Sequence, residues 1–77
     1  MQLEIITPEK KLYSGEVDLI NVPGSDGSFG ILNHHAALVS TLKAGEIKIV
    51  ENGNEKLFAI KGGVVEVNNN NVIVLAE

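Results

Sequence analysis

The fold of this chain is decided by residues 22–38, which read Val22-Pro23-Gly24-Ser25-Asp26-Gly27-Ser28-Phe29-Gly30-Ile31-Leu32-Asn33-His34-His35-Ala36-Ala37-Leu38. Three glycines at positions 24, 27 and 30 stand in a segment whose two flanks are strand-like, and the segment also holds both histidines of the chain. A loop this rich in glycine buries little apolar surface itself, so we expect its shape to serve contact or binding.

Strand patterns repeat on both sides of this stretch, and no segment shows a helical period long enough to predict a helix. Pro23-Gly24, Ala44-Gly45 and Gly62-Gly63 are typical of turns or corners that end strands. The short apolar runs lie at residues 3–7, 11–15, 17–22, 28–32, 37–42, 46–51, 54–61, 64–68 and 71–76. Eight or nine short strands with turn signals between them predict an all-β antiparallel sandwich or barrel.

The dipeptide Asn52-Gly53 is the strongest hairpin signal, because both residues accept positive φ. A two-residue loop there would pair Ile47 with Phe58 and Ile49 with Lys56. A three-residue loop with a bulge would shift this register, and the sequence leaves both possibilities open.

Composition excludes several function classes. The chain has 77 residues, which predicts one domain spanning 1–77, and it has no cysteine, which removes disulfides, thiol catalysis and thiolate metal sites. Its net charge is −4 and it has no arginine, which argues against nucleic-acid binding. No apolar run reaches the roughly 20 residues that span a bilayer, and no signal peptide is evident. We expect a soluble, cytosolic protein that could still sit against a membrane complex.

The two histidines do not form a convincing metal site. Neighbouring residues of a strand point to opposite faces, so His34 and His35 cannot share one metal without a bend, and no further ligand is suitably spaced. We expect loop histidines that are exposed or contact a partner, and no metal or other cofactor.

Phosphate binding and hydrolysis also lack their usual context. Glycine-rich phosphate loops are followed by a helix, whereas Ile31-Leu32 continues as strand, so the glycines are interpreted as allowing tight turns or close backbone approach. Ser25, Asp26 and His35 supply the side chains of a hydrolytic triad, but no nucleophile elbow accompanies them. We therefore expect no catalytic residues.

A lipoyl- or biotin-carrier domain, or another small β interaction module, is an alternative of a different class. Such carriers are small, acidic, all-β domains that present one modified lysine at a tight hairpin. Lys43-Ala44 is the nearest candidate, yet it lacks the expected setting, and the hairpin tip Asn52-Gly53 has no lysine.

Taken in order, the motifs of the whole chain resemble the N-terminal β-domain of the epsilon subunit of bacterial F-type ATP synthase. The resemblance rests on Leu3-x-Ile5-Ile6-Thr7-Pro8, Leu12-Tyr13-Ser14-Gly15, Val22-Pro23-Gly24, Asp26-Gly27, Phe29-Gly30-Ile31, His35-Ala36, Leu38, Leu42, Gly45-Glu46-Ile47-Lys48-Ile49, Gly62-Gly63-Val64-Val65-Glu66-Val67 and Val72-Ile73-Val74-Leu75-Ala76-Glu77.

This resemblance implies a flattened antiparallel sandwich of two sheets with about ten short strands. It implies a non-catalytic rotor subunit of the central stalk, which binds the gamma subunit and the ring of c subunits and helps couple proton translocation to ATP synthesis. Such a subunit would lie at the cytoplasmic face of the bacterial plasma membrane without inserting into lipid, and would be monomeric when isolated. The implied c-ring contacts are Gly24, Ser25, Asp26, Gly27, Ser28, Phe29 and Gly30, and the implied gamma contacts are Thr7, His34, His35, Ala36 and Leu38.

Three departures from the family pattern stand out. Prolines and a glycine that often flank the histidine are replaced by Asn33, His34 and Ala37, so we expect a less rigid loop. Ser28 replaces a common acidic residue, and Asp26 could substitute for it. The family usually continues past the position of Glu77 into an inhibitory two-helix hairpin, whose roles would be absent if the chain ended there. For Phe29, an anchor toward the partner and an internal plug both remain open, whereas for Ile31 and Leu38 a place in the core is favoured over a contact.

Overall fold

The computed structural model describes residues 1–77 and contains seven strands and no helix. The strands are β1 (Gln2–Ile6), β2 (Lys11–Glu16), β3 (Leu19–Gly24), β4 (Gly27–Leu32), β5 (Leu38–Glu51), β6 (Asn54–Asn68) and β7 (Asn71–Ala76). The predicted all-β class is confirmed, but seven strands replace the predicted count of about ten.

The lower count arises because two predicted breaks lie inside continuous strands. β5 runs through Ala44-Gly45 and β6 runs through Gly62-Gly63, and the two strands pair in one antiparallel register along their length. At the bend of β6, a side chain on Gly63 would overlap the carbonyl oxygen of Leu75, and φ of Gly63 is +147°. The glycines therefore bend these long strands without ending them.

The hydrogen-bonded order of the strands is β2-β1-β7-β6-β5-β3-β4. All neighbours are antiparallel except β1 and β7, which pair in parallel with Leu3 opposite Val72. The predicted antiparallel pairing is confirmed at every other pair, and the strands form one continuous hydrogen-bonded sheet where two sheets were predicted. The parallel pairing places the first strand beside the last one, and β2 and β4 form the two edges of the sheet.

The sheet folds back on itself at the bends of β5 and β6, so its two halves face each other as layers of a sandwich. Tyr13 of β2 shows this directly: its ring meets the ring of Phe58 of β6 at 5.7 Å, although the two strands are not neighbours in the sheet. One cluster of buried residues fills the space between the halves: Met1, Leu3, Ile5, Val17, Ile20, Val22, Ile31, Leu42, Ile47, Ile49, Ile60, Val65, Val67, Val72, Val74 and Ala76.

The turn between β3 and β4 lies two residues later than the sequence predicts. Pro23 and Gly24 belong to β3, and Ser25-Asp26 forms the turn between the paired residues Gly24 and Gly27. The β3–β5 ladder shifts register between Asn21 and Gly24, so the missing N–H of Pro23 falls where the ladder is already interrupted.

Candidate functional site

In the segment Gly24–Gly30, called the hairpin tip below, the polar side chains face solvent. Ser25, Asp26 and Ser28 are exposed, whereas Gly24 is buried and pairs with Gly27 across the turn. The tip thus presents two hydroxyl groups and one carboxylate on a short, tightly paired hairpin. Such a surface suits hydrogen bonds to a polar partner.

Ser25 ties the hairpin tip to β5. Its backbone N–H donates to the carbonyl oxygen of Thr41 at 3.0 Å, and the hydroxyl of Thr41 donates to its Oγ at 2.7 Å. The tip is therefore anchored on two sides, by β3 and by β5.

Phe29 packs inward. It is half-buried against the core cluster, and its ring lies over Gly24. Ile31 is fully buried in the core, and Leu38 is half-buried against it. Of the two interpretations that the sequence leaves open for Phe29, the internal plug describes its position.

The segment Asn33–Ala37, called the histidine loop below, joins β4 to β5. His34 and Ala36 are exposed, and His35 is half-buried with its Nδ1 2.7 Å from the carbonyl oxygen of Ala36. The main chain at His34 has φ of +64°, in the left-handed region. No group of three metal-ligating side chains is present in the structure.

A shallow groove of about 390 Å³ adjoins the histidine loop. Its lining residues are Ala37, Leu38, Val39, Glu66, Val67 and Asn68. Val39 is 69% exposed, which is the largest exposure among the large hydrophobic residues. The sequence prediction did not single out Val39, because an alternating strand gives no sign of which outward residue borders a groove.

Thr7 lies apart from the other predicted gamma contacts. Leu38 aligns through Val67 and Val72 with Leu3 of β1, and Thr7 follows the far end of that strand. Thr7 therefore lies three inter-strand spacings of roughly 4.8 Å across the sheet from Leu38, and four residues with a rise of roughly 3.3 Å each along the chain from Leu3. The histidine loop and Leu38 form one patch, and Thr7 does not join it.

Lys43 lies within β5 and not in a turn. The turns at Ser25-Asp26, Asn52-Gly53 and Asn69-Asn70 hold no lysine. A carrier domain would place its modified lysine at such a turn, so the geometry offers no support for that alternative.

The sequence does not predict one polar cluster, which joins Tyr13, Glu51 and Lys56. The hydroxyl of Tyr13 donates to Glu51 at 2.8 Å, and Lys56 lies 3.0 Å from Glu51 and 5.6 Å from the centre of the Tyr13 ring. Burial and the bond to Glu51 raise the pKa of Tyr13 to about 12. The hydrogen bonds from Tyr13 and Lys56 lower the pKa of Glu51. Because Tyr13 lies on β2 and Glu51 on β5, this cluster holds the two layers together.

The structure has no helix that is long and apolar enough to cross a membrane. A sequence model of the family "ATP synthase, Delta/Epsilon chain, beta-sandwich domain" matches residues 1–77. The chain is 44% identical over 77 residues to the ATP synthase epsilon chain of Leptospira interrogans serogroup Icterohaemorrhagiae, covering 100% of this chain and 61% of that protein. It is 36% identical over 77 residues to the ATP synthase epsilon chain of Caulobacter vibrioides, covering 90% of that protein.

The chain spans 58% of a further relative, the ATP synthase epsilon chain of Desulforamulus reducens, at 43% identity over 76 residues. Solved structures share the fold. A chain of the central stalk and c-ring of the Tetrahymena thermophila mitochondrial ATP synthase superposes with a TM-score of 0.83 at 22% identity, covering 97% of this chain and 61% of that chain. A chain of the Euglena gracilis mitochondrial ATP synthase gives 0.89 at 23% identity, covering 96% of this chain and 48% of that chain.

Proposed function

The chain belongs to the ATP synthase delta/epsilon β-sandwich family, and we propose that residues 1–77 form one domain that acts as a non-catalytic central-stalk subunit of an F-type ATP synthase. In this role it binds the gamma subunit and the c-ring and helps couple proton translocation to ATP synthesis. The observation that carries the proposal is the match to ATP synthase epsilon chains along the whole chain.

The hairpin tip is the proposed c-ring contact. Ser25, Asp26 and Ser28 are exposed there, and Phe29 packs beneath them against the core. Because the bonds to Thr41 fix the tip, its polar groups lose little conformational entropy when they meet a polar loop of a partner. The exposed carboxylate of Asp26 suits a partner loop that carries a cation or amide donors.

The histidine loop with Leu38 is the proposed gamma contact. His34, His35 and Ala36 follow one another at its surface, and Leu38 borders the neighbouring groove together with the exposed Val39. A polar loop beside a small apolar groove fits a protein partner, since interfaces combine an apolar centre with a polar rim. Thr7 would contact gamma only through a separate part of that subunit.

Torque transfer is consistent with how the two surfaces are connected. The histidine loop leads directly into β5, and Thr41 of β5 holds Ser25 of the hairpin tip. Force applied at one surface would therefore reach the other through a short, hydrogen-bonded path. As part of such a complex the subunit would lie peripherally at the cytoplasmic face of the bacterial plasma membrane.

The proposal is tested with purified gamma subunit from the same host. We expect the chain to bind gamma, and His35→Glu to weaken that binding by introducing a carboxylate into the contact. Asn54→Glu introduces the same charge in an exposed position at the start of β6, beyond the far end of β5, and serves as the control. Failure of the unmodified chain to bind gamma would refute the proposal.

A further inference from the structure

The histidine loop has a conformation that its own sequence does not favour. It contains neither glycine nor proline, and His34 holds φ of +64°. Within the loop, one backbone hydrogen bond, from the N–H of His35 to the carbonyl oxygen of Leu32 at 3.2 Å, supports the turn. A left-handed residue other than glycine costs about 1–2 kcal/mol and persists only where its surroundings hold it.

The first support comes from Asn33. The ammonium group of Met1 donates to Oδ1 of Asn33 at 2.6 Å and to the carbonyl oxygen of Val17 at 3.0 Å, and it lies 3.0 Å from the carboxylate of Glu16. The side chain of Met1 is only 1% exposed, so this donor is fixed at the edge of the core. A charge-assisted bond to a fixed donor holds the start of the loop in place.

The second support comes from Asn70, in the turn between β6 and β7. Its Oδ1 accepts the N–H of His34 at 2.8 Å, which is the bond made at the left-handed residue itself. The carbonyl oxygen of Asn70 accepts the N–H of Gln2 at 3.1 Å, so Asn70 is anchored to β1.

We propose that Asn33 and Asn70 are positioning residues for the gamma contact: their side chains hold the histidine loop in the shape that presents His35 and Ala36. This inference rests on the proposed function. Neither asparagine needs to touch the partner. Each acts through the loop, by raising the fraction of molecules in which the loop already has its bound shape.

The affinity for the partner should follow that fraction, because the apparent dissociation constant equals the intrinsic one divided by the competent fraction. If loss of one clamp leaves roughly a tenth of the molecules competent, the dissociation constant rises about tenfold. The change should appear mainly as slower association, since the contacting residues are unchanged.

The variant that isolates the second clamp is Asn70→Gly. Glycine keeps the positive φ of +62° that the turn requires and removes only the side-chain acceptor. Asn69→Gly is the matched control, because Asn69 lies in the same turn with φ of +50° and makes no side-chain hydrogen bond. Asn70→Asp retains an acceptor oxygen and is the conservative rescue, and Asn33→Ala and Asn33→Asp form the same pair for the first clamp.

Two measurements are made on these variants of the whole chain, at a temperature where all are folded: amide hydrogen exchange at His34, and association and dissociation rates with the host gamma subunit. We expect Asn70→Gly and Asn33→Ala to exchange faster at His34 and to associate about tenfold more slowly, whereas the two Asp variants and Asn69→Gly behave like the unmodified chain. Equal association by Asn70→Gly and the unmodified chain would overturn the inference and leave the proposed function intact. Absence of gamma binding by the unmodified chain would overturn both.

Discussion

The ring of Phe29 lies against Gly24 on the facing strand, so closely that a Cβ added to Gly24 would come within 2.8 Å of the Cε1 atom of the ring. The same Cβ would lie 2.6 Å from the carbonyl oxygen of Gly27. Position 24 of the hairpin tip therefore requires glycine, because a half-buried aromatic ring occupies the space that a larger side chain would need.

Gly24→Ala should destabilise the fold, because the ring of Phe29 and the main chain of Gly27 must both move. Overpacking of this kind costs about 1–3 kcal/mol, and each kcal/mol lowers Tm by roughly 4–8 °C in a domain of this size. Gly30→Ala is the control, since its Cβ would meet Leu19 at an ordinary 3.6 Å. Thermal unfolding of both variants checks the prediction, and equal Tm values would contradict the described packing.

Gly63→Ala should be far more damaging than Gly53→Ala, although both glycines have positive φ. At Gly53 a side chain meets open space, so the cost is the left-handed conformation alone, about 1–2 kcal/mol. At Gly63 the side chain would also overlap the carbonyl oxygen of Leu75 and push β6 from β7. Urea unfolding measures the difference, and similar free energies of unfolding would show that the strands do not approach so closely at this bend.

Tyr13 should make the free energy of unfolding fall as the pH rises in the alkaline range. Its pKa is raised from 10.0 to about 12, so the unfolded chain loses the phenolic proton first. The stabilisation is therefore fully present below pH 10 and is lost as the pH rises from 10 toward 12. Tyr13→Phe should remove this component, which is measured as the difference between the two proteins in free energy of unfolding against pH.

Glu51 should give the opposite dependence at acid pH. Its pKa is lowered from the ordinary value of 4.5, because Tyr13 and Lys56 bond to the carboxylate. Its contribution is present above that value and is lost as the pH falls below it. Glu51→Gln should reduce the fall of the free energy of unfolding at acid pH, which is the acid limb of the pH profile, relative to the unmodified chain. An unchanged acid limb would show that the ionised carboxylate does not hold the cluster.

Asp26→Lys should weaken binding to the host c-ring, because it reverses the one charge of the hairpin tip. Asp18→Lys makes the same reversal at another exposed position, between β2 and β3, and should change c-ring binding much less. Binding to c-ring in detergent measures both variants. An equal effect of the two reversals would indicate general electrostatics and argue against a local contact at the tip.

The sequence predicts a hairpin at Asn52-Gly53 but leaves two registers open. The structure has the first of them, a two-residue loop with Ile47 opposite Phe58 and Ile49 opposite Lys56. Lys56 stands opposite a buried isoleucine because its ammonium group reaches out to Glu51 and the Tyr13 ring. The sequence could place the turn because an Asn-Gly pair strongly restricts the backbone, but it could not fix the loop length and hence the register.

Long-range features were not readable in the same way. The bond between Tyr13 and Glu51 joins residues 38 positions apart, and it depends on how the two layers face each other. The clamp from Asn70 to His34 joins residues 36 positions apart. A local pattern cannot indicate that partner, because any of several neighbouring asparagines could supply the oxygen. The prediction of the turn at Pro23-Gly24 is wrong, because a local pattern gives no information on the interruption of the β3–β5 ladder at that place.

The most direct test of the central claim is site-directed crosslinking in the assembled ATP synthase of the host. The chain has no cysteine, so Ser28→Cys and His35→Cys each provide one attachment point on it, and Asn54→Cys serves as the control. With a short photoactivatable crosslinker on each, we predict that position 28 joins a c subunit, that position 35 joins gamma, and that position 54 joins neither. Failure of positions 28 and 35 to form these products, or equal products from position 54, would contradict the assignment of the hairpin tip and the histidine loop as the two rotor contacts.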